Sequence, residues 1–263
     1  MHLEPEAEWI LPENIRRQQE RERLAVDQGK FDGAGDLGSY YALRTGSNKE
    51  FVKLHGMTDV HQTLTYAKGV RLFLERSGIE VSGKTLLDVG CGIGALTEAL
   101  RIVFKTNQAV GLDLAEDGIL YACATYPECR FFCTSAEEAL GLSPESFDII
   151  HAREVYPVTR TSSIEYQVAF LGAMARLLKP GGIIVLEMVH LDRGLGYTWK
   201  KLGIFLAQHR LGPIDRNVMI HRRFVRLFGA SAYGFFGYIF CCLMTRLLYQ
   251  KRTGYFFSIR KCA

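Results

Sequence analysis

The chain lacks any C-x-x-C pair, although it holds seven cysteines, at positions 91, 123, 129, 133, 241, 242 and 262. An odd number without paired spacing offers neither a disulfide framework nor a zinc site. Cys129 and Cys133 are four apart, but the run between them reads as a strand entering a core. The expectation is ordinary buried thiols in a reducing compartment. The N-terminal Met-His-Leu-Glu-Pro-Glu-Ala-Glu is acidic and has no apolar signal core, so a cytoplasmic chain is expected. Internal repeats and low-complexity tracts are also missing. A length of 263 residues with 48% hydrophobic content suits one large domain with additions and a substantial core.

Acidic residues are scarce at one end. From Arg193 onward there are 13 Lys/Arg against a single acid, Asp215, a net charge of +12. The first 192 residues hold 19 basic and 27 acidic residues, so the overall +4 hides a longer part at −8. Inside the basic part, Leu227–Thr245 is a 19-residue run without a charge. Arg222, Arg223 and Arg226 precede it, and Arg246, Lys251 and Arg252 follow it. Its length meets the threshold for a bilayer span. Gly229, Gly234, Gly237, Ser231 and two tyrosines argue against one, and the expectation is that the glycines deny the run a continuous apolar surface.

The densest signal lies at residues 85–100, Thr-Leu-Leu-Asp-Val-Gly-Cys-Gly-Ile-Gly-Ala-Leu-Thr-Glu-Ala-Leu. Leu86, Leu87 and Val89 flank Asp88 as a buried parallel strand would. Gly90, Cys91, Gly92, Ile93 and Gly94 then turn the backbone, with glycine permitting positive φ and close approach of a ligand to the main chain. From Ala95 the pattern is helical, so the free N–H groups of a helix start point at that loop. Asp88 puts a negative charge at this mouth, which would repel a pyrophosphate and hold a cationic ligand. The spacing of Gly90, Gly92 and Ala95 also satisfies the dinucleotide pattern. Four further segments discriminate. Residues 108–114 read as a strand ending in Asp113, where a carboxylate can accept both hydroxyls of a ribose. Residues 130–137 give a strand and a polar turn, Phe147–Ile150 begin another strand, and Leu178-Lys-Pro-Gly-Gly182 leads into Ile183–Val189.

These five ordered motifs, over roughly residues 60–190, resemble the class I S-adenosylmethionine-dependent methyltransferases. The resemblance implies an α/β fold, a doubly wound Rossmann-like seven-stranded sheet that is parallel except for an antiparallel last strand, expected at Tyr255–Arg260. It also implies S-adenosylmethionine as cofactor. Asp88 matches the acid near the methionine amino group, and Gly90, Cys91, Gly92 and Gly94 the loop beneath the methionine. Asp113 matches the ribose acid and Leu114 the apolar residue against the adenine. Ser135 and Ala136 stand where the family often has Asp-Ala at the adenine edge; serine is a weaker acceptor there, while Ala136 still offers its N–H.

Residues 1–47 are expected to be an N-terminal extension. Residues 13–30 read as a polar helix and 31–48 have a loop composition. In the family this segment often closes over the cofactor, so Tyr40, Tyr41 and Arg44 are candidate lid residues; a surface connector is the alternative. His61–Arg76 reads as the helix leading into the first strand, with Leu64, Ala67, Val70 and Leu74 on one face. Residues 48–263 then form the methyltransferase domain, with a substrate-side insertion at about 193–250. A strand needed to complete the sheet cannot follow a single bilayer crossing. That leaves the insertion as a pocket cover holding the sixth strand, as a surface lying on an anionic membrane, or as a core element with a solvated basic rim. Nucleic acid is disfavoured, since the Asn/Asp-Pro-Pro-aromatic motif of base-amino methyltransferases is missing.

Methyl transfer from a sulfonium is an in-line displacement, so the protein mainly positions the acceptor and excludes water. A base serves only when the acceptor must lose a proton. Residues 151–157 follow the fourth strand and in the family usually face the methyl group. Arg153 and Glu154 resemble the Arg-Asp or Arg-Glu pairs of many small-molecule methyltransferases, which puts Arg153 at the cofactor. Glu154 also coincides with the first glutamate of the E-x-x-E-H motif of ubiquinone-type O-methyltransferases. The following Glu-His falls on Pro157 and Val158, which cannot bind metal, so no catalytic metal is expected. Candidate catalytic residues are therefore Glu154, His151 and His190, although a histidine at a strand end is more often packed and hydrogen-bonded. Tyr156 reads as a substrate contact or a hydrophobic wall. The double-glutamate loop of arginine methyltransferases is missing. The leading expectation is metal-independent methylation of O or N on a small molecule. The alternatives are a membrane-associated lipid or polyprenyl acceptor, and a cofactor-binding regulator without methyl transfer. Oligomeric state is open.

Overall fold

The computed structural model describes residues 60–114, 116–139, 141–155, 164–188, 210–218, 235–248 and 255–262, with 206–207, 220, 224, 227–228 and 231–232. The 13–30 segment, Tyr40, Tyr41, Arg44, Tyr156 and His190 lie outside these residues.

In chain order the elements are α1 (Val60–Arg76), β1 (Leu86–Val89), α2 (Ala95–Phe104), β2 (Ala109–Asp113), α3 (Glu116–Thr125), β3 (Arg130–Cys133) and β4 (Phe147–Arg153). They continue with α4 (Ile164–Leu177), β5 (Leu178–Met188), β6 (Leu211–Val218), α5 (Phe235–Leu248) and β7 (Tyr255–Lys261). The seven strands form one sheet in the order β3-β2-β1-β4-β5-β7-β6. The ladders β1–β2, β1–β4, β2–β3 and β4–β5 are parallel, and β7 runs antiparallel to both neighbours. The chain thus has the doubly wound Rossmann-like sheet expected, with the sixth strand among residues 193–250 and the antiparallel strand at Tyr255.

Both faces of the sheet are covered, which is why β1 and β2 are buried along their whole length. Alternate side chains enter different cores. Leu87, Val89, Ile150, Ala152, Ile184 and Leu186 face α4, whose Phe170, Leu171 and Met174 complete one cluster. Leu86, Ile149, Ile183 and Val185 face the other way, onto Ala67, Val70 and Leu74 of α1 and Leu100 and Phe104 of α2. The apolar face expected for α1 is therefore the one that packs. At the N-terminal edge of the strands, Asp148 Oδ2 accepts from Thr85 Oγ1 at 2.6 Å and from Lys179 Nζ at 2.9 Å, tying β1, β4 and β5 together.

Two expectations need correction. β5 begins at Leu178 and not at Ile183: the Leu178-Lys-Pro-Gly-Gly run expected to lead into the strand is its irregular start, with Leu178 paired to Phe147 and the register shifting before Ile149↔Ile183. Pro180 has no N–H to give a ladder, and Gly181 at φ 76° lets the strand kink there. Within α5, glycine also does not interrupt the apolar surface. Gly229 and Gly234 precede α5, and Gly237 lies in its first turn, where a Cβ would collide with the Ser231 carbonyl. The glycine lets the chain pass close to the helix, and the helix itself is continuous.

Candidate functional site

Parallel strands deliver their C-terminal ends to one edge, and the chain order reverses between β1 and β4, leaving a crevice there. The loop after β1 fills its floor. Gly90, Gly92 and Gly94 have φ of 75°, 58° and 78°, values L-residues rarely adopt. The N–H groups of Gly90 and Cys91 donate to the Leu112 carbonyl at 2.8 and 2.9 Å, clamping the loop to β2. Gly94 caps α2 with no side-chain cap, so the first-turn N–H groups of that helix are turned to the crevice. The glycines do different jobs. A Cβ on Gly94 would come within 2.7 Å of the Phe131 ring, so this glycine makes room for packing. A Cβ on Gly90 would come within 2.8 Å of Val155 Cγ1, so this glycine lets the β1 and β4 loops meet.

Asp113 ends β2, buried, with Oδ2 accepting the Gly92 N–H at 2.8 Å. That bond fixes the carboxylate beside the loop. Leu114, the next residue, leaves its apolar side chain 41% exposed on the same rim. A fixed acid beside an exposed apolar surface, above a loop of left-handed glycines, fits the ribose and adenine of the nucleoside expected there. Ser135 is buried, and its hydroxyl accepts the Glu138 N–H at 3.1 Å, so it holds a turn beside the buried Ala136. Cys91 is buried too; burial, then Asp113 and Asp88, push its thiol well above the usual range, which keeps it protonated and inert.

Beneath the loop lies a buried polar cluster. Asp88 Oδ2 accepts from Thr97 Oγ1 of α2 at 2.6 Å, and Oδ1 lies 2.7 Å from His151 Nδ1 of β4. His151 Nε2 lies 2.9 Å from Glu187 Oε1 of β5. Glu187 Oε2 is 3.8 Å from Arg153 Nε, and the Arg153 guanidinium stacks on the Tyr66 ring of α1, 4.3 Å from its centroid. The sheet register lines these residues up: Asp88 pairs with His151 and Arg153 with Glu187. Each contact to the imidazole needs one proton, so two protons are shared among three groups. Burial pushes the Glu187 carboxyl well up, which favours the protonated acid as the partner of Nε2.

The His151 ring is fully buried with both nitrogens engaged, and as a base it would have to leave both partners. Asp88 is buried, with Thr97 Oγ1 on Oδ2 and His151 Nδ1 on Oδ1, which fixes its carboxylate directly beneath the glycine loop. Glu154 emerges at the rim, half-buried, with a left-handed φ of 51° held by its N–H bond to the Glu187 carbonyl at 2.9 Å. Left-handed backbone in a non-glycine residue costs energy and often marks a working site. Sequence reasoning missed Glu187, Thr97 and Tyr66; a lone acid inside the apolar run 183–189 was the signal for the first. Among the described residues no group of three His, Cys, Asp or Glu is placed to hold a metal ion, and all seven cysteines are free.

Comparison with known proteins agrees with this geometry. Residues 87–186 match the family described as a methyltransferase domain. The ubiquinone biosynthesis O-methyltransferase of Idiomarina loihiensis is 33% identical over 162 residues, 60% of this chain and 62% of that protein. The enzyme of the same name from Photobacterium profundum is 26% identical over 78% of this chain and 79% of its own length. The chain spans about three-fifths of the Idiomarina protein and of the Hydrogenovibrio crunogenus one, 62% and 58% of their lengths. Among solved structures, a chain from a complex of the Haloferax volcanii Trm112 methyltransferase activator with a methyltransferase shares the fold. Its TM-score is 0.55 at 14% identity, covering 86% of this chain and 99% of that one. A Haemonchus contortus phosphoethanolamine N-methyltransferase 2 does so with a TM-score of 0.51 at 16% identity, over 85% of this chain and 59% of that one.

Proposed function

The chain carries a class I S-adenosylmethionine-dependent methyltransferase domain, and we propose from it that the protein methylates an oxygen or nitrogen of a small-molecule acceptor without a metal ion. The single observation that carries the reading is the Asp113 carboxylate, locked by the Gly92 N–H at 2.8 Å beside the exposed Leu114. In this reading Asp113 accepts the ribose hydroxyls, Leu114 and Ala136 flank the adenine, and Gly90–Gly94 lie under the methionine. The cofactor, when bound, supplies an electrophilic methyl on a sulfonium. The protein's own part is placement. The Asp88–His151–Glu187 cluster holds β1, β4 and β5 in register beneath the loop, and Arg153 and Glu154 present their polar groups at the rim. Glu154 and His190 remain the candidates for taking a proton from the acceptor, with Tyr40, Tyr41 and Tyr156 as candidate acceptor contacts. The names of the relatives favour oxygen over nitrogen. A cytoplasmic location is part of this reading, supported by seven free thiols.

A second reading, in which the acceptor is a membrane-associated lipid or polyprenyl compound and the protein touches an anionic membrane, is supported by the +12 charge after residue 192. Calorimetry with S-adenosylhomocysteine and with NAD, followed by label transfer from methyl-labelled S-adenosylmethionine into a fractionated cell extract, tests the proposal. Tight binding of S-adenosylhomocysteine and label in an organic-soluble or small-molecule fraction support it. Binding with no label in any fraction would instead favour a cofactor-binding regulator.

A further inference from the structure

We propose that the outward face of α5 docks on an anionic phospholipid bilayer, with the helix lying in the plane of the interface. The inference rests on the membrane-contact reading above and names the surface that makes the contact. One face of α5 is already used: Tyr238, Cys241, Cys242 and Met244 pack with Ile220, Phe224 and Ala232 against Leu72 of α1. The Arg76 guanidinium sits 4.2 Å from the Tyr238 ring centroid, and Thr245 is buried.

The opposite face is apolar and exposed. Ile239, Phe240, Leu243 and Leu247 are 54%, 50%, 54% and 59% accessible, and Phe236 precedes them one turn earlier. Their spacing of three and four residues puts them on one stripe roughly 100° wide. Leu227 and the exposed Phe228 extend it, and Phe228 meets Phe240 edge to face at 6.2 Å. A soluble helix would present polar side chains there. This one has a single charge, Arg246, exposed in its last turn at the flank of the stripe.

Length excludes a crossing. Fourteen residues make a helix of about 21 Å, short of the roughly 30 Å hydrocarbon core. Among the described residues no helix is long and apolar enough to cross a membrane. An apolar helix face too short to span, bordered by cations, lies along the interface.

Charge selects the occupant. Arg222, Arg223 and Arg226 stand just before the apolar run and Lys251 and Arg252 just after it, in a segment of +12 with one acid. A second copy on the stripe would bring two such segments together, whereas anionic headgroups complement them. The surface is also mechanically tied to the site. The helix whose Tyr66 carries Arg153 also carries Leu72 and Arg76, which seat α5. A lipid-soluble acceptor leaving the bilayer would therefore meet a crevice held at fixed distance from the membrane.

The test is co-sedimentation of the full chain with phosphatidylcholine vesicles with and without phosphatidylglycerol. The wild type and three variants are compared: Ile239→Ser/Leu243→Ser/Leu247→Ser, Leu243→Glu, and Leu120→Ser. The last removes an equally exposed apolar side chain from α3. Expected is binding to the anionic vesicles only, weakened at least about tenfold by the triple variant and by Leu243→Glu, since several apolar side chains leave the interface. Leu120→Ser should match the wild type. Binding of S-adenosylhomocysteine should stay within about twofold in all of them, which also shows that they fold. If the wild type binds no vesicle, the membrane reading itself falls. If the wild type binds and the stripe variants bind equally well, that reading stands and the α5 assignment is overturned. A dimer that the triple variant dissociates, with no vesicle binding, would make the stripe a contact between copies and refute the proposal.

Discussion

Glu187→Gln is the sharpest probe of the buried cluster, because glutamine imitates one protonation state and not the other. Burial raises the Glu187 carboxyl well above its ordinary 4.5. The sign follows from linkage. A raised folded value means the native state holds the proton more tightly than the unfolded chain. The associated stability is full below about pH 4.5 and is lost as pH rises towards the folded value. The slope for one proton cannot exceed about 1.4 kcal/mol per pH unit. Glutamine keeps an N–H to donate to His151 Nε2, as the protonated acid does, and has no proton to lose. The variant should therefore unfold in urea at a midpoint equal to or above that of the wild type at pH 7, and its advantage should grow from pH 5 to pH 8. Glu187→Ala removes the donor, leaves a buried ring nitrogen unsatisfied and opens a cavity. It should cost about 2–4 kcal/mol. Urea denaturation followed by far-UV circular dichroism at several pH values measures all three proteins. If glutamine destabilises as much as alanine, and more at high pH than at low, Glu187 is ionised in the native protein and the proton assignment is wrong.

Asp113→Ala should weaken S-adenosylhomocysteine binding at least about tenfold in calorimetry, since each bond from a hydroxyl to a charged acceptor contributes about 1.5–3 kcal/mol. Gly94→Ala meets the Phe131 ring at 2.7 Å and forces a left-handed residue, so a loss of about 1–3 kcal/mol in stability is expected from thermal or urea unfolding. Methyl transfer should survive exhaustive treatment with a chelator, because Pro157 and Val158 stand where the metal-binding motif needs ligands; loss of turnover that magnesium or zinc restores would contradict this.

The parallel core was legible in the sequence because its strands announce themselves twice, by apolar runs and by the residues that end them. Leu-Leu-Asp-Val before three glycines, and Val-Gly-Leu-Asp before Leu114, each mark a strand and the edge where it delivers an acid. Elements with no local punctuation were harder. The start of β5 was hidden because Lys-Pro-Gly-Gly has turn chemistry, and only the pairing of Leu178 with Phe147 overrides it. The exposed stripe of α5 was misjudged because glycine was counted by composition, whereas its effect depends on position: Gly237 falls in the first turn and leaves the rest of the helix intact. The site divides in the same way. Asp88, Asp113 and the glycines follow from spacing, but the partnership of Asp88, His151 and Glu187 joins residues up to 99 positions apart through sheet register. No periodicity along the chain encodes that meeting.

The pairing of Val218 with Tyr255 has a consequence for how this molecule can change. These two residues close an antiparallel hairpin, and the 36 residues between them, α5 included, form an excursion from its tip. The sheet needs only the closure. Replacing a tight turn of about four residues by such an excursion adds roughly 2 kcal/mol of closure entropy, since that cost grows only with the logarithm of length. The small cluster against Leu72 offsets it. The excursion is thus an attachment that can be exchanged, lengthened or lost while the strands that hold Asp88 and Asp113 keep their register. A chain closed by a short turn between Val218 and Tyr255 should retain the nucleoside crevice and lose only what the attached helix touches.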